Sequence, residues 1–152
     1  MSQENNWNLI QKIPDYLDDG DYLAILSMGR SKLSHRKIQK ISYVLSNIAN
    51  LEGNFVRTET GYFSETIMEK IMSPLNRNIY KVKDSTYSLT EYGVEIYDAI
   101  IEFLSSDTRQ SLLDLLRILR KMNISELETW EMTPEKWKEF IAGLQRNEEA
   151  IE

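Results

Sequence analysis

Ile79-Tyr-Lys-Val-Lys-Asp-Ser-Thr-Tyr-Ser-Leu-Thr-Glu-Tyr-Gly93 decides how this chain folds. Ile79 and Lys81 alternate with Tyr80 and Val82, Asp84-Ser85 supplies turn chemistry, and Tyr87-Ser88-Leu89 alternates again. Two short period-two runs around a polar turn predict a β-hairpin. Thr90 then offers a hydroxyl to the first free backbone N–H groups of a helix. That helix runs to about Leu104, with Val94, Tyr97, Ile100, Ile101 and Leu104 on one apolar stripe.

Upstream of the hairpin the pattern is helical. Tyr22, Leu23, Ile25 and Leu26 predict a helix over about Asp21 to Met28, stopped by Gly29. Ser34 reads as the N-cap of a second helix reaching about Asn50. Its buried stripe is Ile38, Ile41, Leu45 and Ile48, with Arg36, Lys40, Tyr43, Asn47 and Asn50 opposite. Asn54 to Gly61 reads as an irregular or extended connection. Ser64 caps a short helix with Ile67, Met68, Ile71 and Met72 apolar and Thr66, Glu69, Lys70 and Ser73 exposed; Pro74 ends it.

Downstream, Asp107 and Gln110 suggest a capping box for a helix to about Met122 bearing Leu112, Leu115, Leu116 and Leu119. Ser125 with Glu128 opens a brief helical turn. Thr133-Pro134 starts a last helix with Trp137, Phe140, Ile141 and Leu144, and residues 147–152 read as a frayed tail.

The chain has 152 residues, 41% hydrophobic and 28% charged, long enough for one substantial core. Eighteen Lys and Arg against 24 Asp and Glu give a net charge of −6, which by itself argues against binding a polyanion. The average conceals a separation. Residues 1–62 sum to 0, residues 63–106 to −3 and residues 107–152 to −3. Asp15, Asp18, Asp19 and Asp21 precede the first helix and read as a solvated acidic cluster. No acid falls between Tyr22 and Leu51, where Arg30, Lys32, Arg36, Lys37 and Lys40 lie. Arg77, Lys81 and Lys83 form a second acid-free group, so two basic groups flank one short helix.

The chemistry of an enzyme is hard to assemble here. Cys is absent and His35 is the single His, so the common zinc, thiol and Ser-His sites cannot be built; His35 itself reads as exposed or capping. The aspartates at 15–21 lack the spacing of a calcium loop, and no phosphate-cradling glycine loop exists. No cofactor, metal or catalytic residue is expected. The longest uncharged run, Ile41 to Leu51, has eleven residues, too few for a membrane span, and no cationic or apolar leader is visible. The expectation is a cytoplasmic protein.

Helix, helix, short helix, hairpin, helix is the element order of a winged helix-turn-helix. Tyr87-Ser-Leu-Thr-Glu-Tyr-Gly93 matches the Tyr-x-Leu-Thr-x-x-Gly signature found where the wing of many winged-helix regulators enters the next helix. Arg36-Lys-Ile-Gln-Lys-Ile-Ser-Tyr-Val-Leu45 and Gly61-Tyr-Phe-Ser-Glu65 resemble the Lys-Leu-Gln-Lys-Leu-x-Tyr and Gly-Pro-Tyr-Ser motifs of Panacea-type antitoxin domains and related archaeal and phage winged-helix proteins. Tyr62 stands in place of that Pro. The resemblance spans about residues 21–104 and implies a mainly α fold with one small β-hairpin, a winged helix-turn-helix followed by C-terminal helices. Residues 1–20 would be an N-terminal arm, 105–147 a helical extension and 148–152 a tail.

The function expected from this is double-stranded DNA binding by a dimeric transcriptional regulator. Arg30, Lys32, Arg36, Lys37 and Lys40 would contact phosphates around the second helix, and Lys81 and Lys83 would do so on the wing. Thr66, Lys70, Ser73 and Arg77 would reach the groove from the short helix. Glu65 and Glu69 on the same helix oppose this. Leu112, Leu115, Leu116, Leu119 and Met122 form a stripe broad enough for a homodimer seam. The rival reading is a winged-helix protein-interaction module, antitoxin-like or a docking scaffold, without DNA.

Overall fold

The structure is a computed structural model and describes residues 12–132. The N-terminal arm up to residue 11 and the helix expected from Thr133 lie outside the described residues.

The first helix, α1 (Asp19–Met28), starts earlier than expected because Asp18 and Asp21 cap it reciprocally. Each side chain accepts from the other's backbone N–H. Leu23, Ala24, Ile25, Leu26 and Met28 are all buried, so α1 is covered over most of its surface and forms the centre of the core. At its end Gly29 adopts φ 52°, which a side chain would strain. A two-residue strand, β1 (Leu33–Ser34), leads into α2 (His35–Ala49), capped by Ser34 as expected and closed by Asn50 in the left-handed region. Ile38, Ile41, Val44 and Leu45 of α2 pack on α1.

The connection over 54–61 is more regular than its sequence suggests. It contains β2 (Val56–Thr58) paired antiparallel with β3 (Gly61–Phe63), packed against α2. Arg57 faces Tyr62 across this ladder, and Tyr62 stacks on Tyr43 of α2 at 4.2 Å between ring centres. Ser64 caps α3 (Glu65–Met72) while donating to the Gly53 carbonyl; Gln39 accepts from the Ser64 N–H and donates to its carbonyl. These buried polar groups thereby satisfy one another. A 3₁₀ turn (Pro74–Asn76) follows.

The expected hairpin is β4 (Tyr80–Lys83) and β5 (Thr86–Leu89), with Val82 opposite Tyr87. Asp84 and Ser85 both have positive φ, at 51° and 64°, the backbone sign that a tight two-residue turn needs. The sequence missed the third strand: β1 pairs with β5, giving an antiparallel sheet in the order β1-β5-β4. Thr90 caps α4 (Glu91–Phe103) through the Gly93 N–H. Then α5 (Ser106–Lys121) is capped by Ser105, two residues ahead of the expected Asp107, and α6 (Ile124–Met132) by Asn123 and Glu126 in place of Ser125 and Glu128. The fold is mainly helical with a small antiparallel sheet, and among the described residues no helix is long and apolar enough to cross a membrane.

Candidate nucleic-acid interface

Most of the acid-free basic run is not free of acids in space. The Arg30 guanidinium grips both oxygens of Asp98 on α4 at 2.7 and 2.5 Å. Arg36 meets Glu128 on α6 at 2.5 Å. Lys40, expected on the exposed face of α2, has a buried side chain whose Nζ donates to the Thr60 carbonyl at 2.8 Å and lies 4.0 Å from Glu128. Lys37 donates to the Arg120 carbonyl at the end of α5, and burial pulls its ammonium below its ordinary pKa. Exposed ion pairs of this kind stabilise little, yet each takes a cation out of the free surface. Lys32 is the exception, being exposed with no ion pair among the described residues.

The short helix is committed in the same way. Lys70 bridges Asp18 and Asp21 at 3.0 Å each. Burial opposes its charge, but the two carboxylates overcome this and hold the ammonium above its ordinary range. Asp21 is only 5% exposed and also accepts from the Tyr80 hydroxyl at 2.6 Å. The acidic cluster is therefore not simply solvated: Asp18 and Asp21 tie α1 to α3 and β4. Thr66 accepts from Asn54 at 3.3 Å, and Ser73 caps the 3₁₀ turn. The side chains α3 leaves most open are Glu65, Glu69 and Met72.

Arg77, Lys81 and Lys83 are exposed and make no ion pair among the described residues. The β1–β5 pairing brings Lys32 beside the hairpin, where Lys32 and Lys81 line one hollow together with Arg30, Glu91 and Glu95. Arg57 on β2 is a further exposed cation that sequence reasoning passed over. Its surroundings read as an irregular connection, and only the β2–β3 ladder gives it a defined direction.

The leucines proposed as a seam between copies are internal. Leu115, Leu116 and Leu119 are at most 1% exposed within the chain's own core, and Leu112 and Met122 pack partly against it. Arg120 fixes α5 in this position: its Nε and terminal nitrogen donate to the Ser27 and Leu26 carbonyls at 2.9 and 2.6 Å, and it lies over the Tyr97 ring.

His35 is half-buried between Phe63 and Tyr87, both edge-on, with Nε2 3.0 Å from Gln39 Nε2. Because that Gln amide nitrogen is a donor, His35 accepts and is neutral there; burial lowers its pKa in the same sense. Among the described residues no cluster of His, Cys, Asp or Glu could hold a metal ion. No family model, curated protein or solved structure matches the chain.

Proposed function

We propose that residues 19–104 act as a winged helix-turn-helix that binds duplex DNA as a transcriptional regulator, with no catalytic step. The observation that carries this reading is the sheet order β1-β5-β4, with α3 leading through one 3₁₀ turn into the β4–β5 hairpin. It gathers Lys32, Lys81 and Lys83 on the hairpin side of the domain, with Arg77 just before β4. DNA is then held through the wing and phosphates more than through base edges, because α3 presents Glu65 and Glu69 where a reading helix needs donors.

This reading gives a number. Four phosphate contacts give a slope of log affinity against log salt of about −3.6, and each cation removed flattens it by about one. Fluorescence anisotropy of labelled genomic duplexes between 50 and 200 mM salt measures it. Lys81→Gln with Lys83→Gln is expected to lower affinity and flatten the slope by about two. No binding at low salt, or an unchanged slope in the double variant, defeats the proposal.

A second reading has one observation behind it. Next to Glu65 and Glu69, Met72 and Leu75 are 47% and 90% exposed, a mixed acidic and apolar surface suited to a basic protein partner. A stoichiometric partner that co-purifies with the chain and is lost on Leu75→Asp, with DNA binding absent, selects that docking function.

A further inference from the structure

A groove of about 780 Å³ opens on the side of the molecule where α1, the end of α2, the end of α4 and the start of α5 meet. Its floor is the core itself, Leu26, Ile100 and Leu115, and its walls include Tyr22, Ile48 and Phe103. Phe103 is 49% exposed, a large apolar ring left facing water at the lip. This size and character are those of a site for a small organic molecule. The charge of the lining is one-sided. Among the described residues, Asp15 and Asp19 line the groove, and no Lys or Arg does. One oxygen of Asp19 accepts from the Glu52 N–H at 2.8 Å, which fixes the carboxylate in place. Asp15 has no ion pair among the described residues. Burial raises the pKa of the Tyr22 phenol in the groove wall, and the negative charges of Asp19 and of Asp21 behind it raise it further.

We propose that this groove binds a lipophilic organic cation, its apolar body against Phe103, Tyr22 and Ile48 and its charge beside Asp15 and Asp19. Apolar burial supplies most of the affinity, and the two carboxylates supply the choice of sign. The aromatic faces add cation–π attraction of the same sign preference. An anion of equal shape gains the same burial and meets repulsion at the mouth, so the site discriminates by charge.

Two probes of nearly identical shape and opposite charge, tetraphenylphosphonium and tetraphenylborate, test this by calorimetric titration of the full chain. The expected result is saturable one-to-one binding of the cation, at least tenfold tighter than the anion. Asp15→Asn with Asp19→Asn keeps the side-chain acceptor for Glu52 and is expected to weaken the cation at least tenfold while leaving the anion equal or tighter. Ser111→Trp, which places a bulky ring among the lining residues, is expected to abolish both; far-UV circular dichroism verifies that each variant folds. The proposal is overturned if neither probe saturates, if the anion binds as tightly as the cation, or if the double Asn variant keeps the preference. A dimeric mass by light scattering that persists with no probe binding assigns the groove to a second copy and also overturns it.

Discussion

Gly93 sits at the third position of α4, where the helix leaves the β4–β5 hairpin, and replacing it with Ala adds a single methyl group. A Cβ built there lies 2.5 Å from the Ile79 carbonyl oxygen and 3.0 Å from the Leu89 Cβ. A carbon–oxygen contact is comfortable at about 3.3 Å, so helix and strand must separate by roughly 0.8 Å. The oxygen cannot retreat cheaply, because it accepts from the Thr90 N–H at 2.9 Å and stands near the Thr90 hydroxyl at 3.3 Å. Overpacking costs about 1–3 kcal/mol and a weakened hydrogen bond about 1 kcal/mol. Ala recovers at most about 1 kcal/mol of helix propensity, less in a first turn. The expected net loss is about 2 kcal/mol. With a urea slope of about 2 kcal/mol per molar, the unfolding midpoint followed by circular dichroism falls by about 1 M. A variant as stable as the parent, or more so, refutes the view that this Gly serves the close approach of α4 to the hairpin.

Two further outcomes follow from the contacts. Arg120→Ala removes both donors from the end of α1 and the packing on Tyr97; the expected loss is about 2 kcal/mol, or roughly 4–8 °C in melting temperature. Arg120→Lys recovers less than half of it, since one ammonium cannot span both carbonyls in a fork. For His35, the unfolded chain takes up a proton near pH 6.5 and the folded chain only at lower pH. The unfolded state therefore binds more protons in that window, and stability falls as pH drops through it, levelling off below the folded value. His35→Gln, which keeps an acceptor for Gln39, is expected to show a shallower loss between pH 7.5 and 5 in denaturant titrations; an equal loss in both proteins removes His35 as its source.

The elements of this chain were legible because their signals are local. Ser34, Ser64 and Thr90 each bond a backbone N–H three residues on, and the α2 stripe repeats within one helix, so both appear in a window of a few residues. The β4–β5 hairpin was legible for the same reason. Where the sequence misled, the competing signal was equally local: Asp107 and Ser125 are good caps, but Ser105 and Asn123 stand nearer the turns that packing selects. The pairing of β1 with β5 joins residues more than fifty apart, and no short-range pattern encodes it. The leucines of α5 likewise looked like a seam because a stripe says which face is apolar and not what covers it.

The charges divide along the same line. Composition and order alone determined that this is a one-core, mainly helical chain, net negative, with two acid-free basic groups flanking a short helix. Only the tertiary structure decided which of them remain open. Asp98 reaches Arg30 across 68 residues, Glu128 reaches Arg36 across 92, and Asp21 reaches Lys70 across 49, leaving Lys32, Arg77, Lys81 and Lys83 on the surface. Caps and periodicity act over one turn of backbone, whereas a Coulombic partner is set by distance in space, and the packing of α4, of α6 and of α1 against α3 establishes those distances.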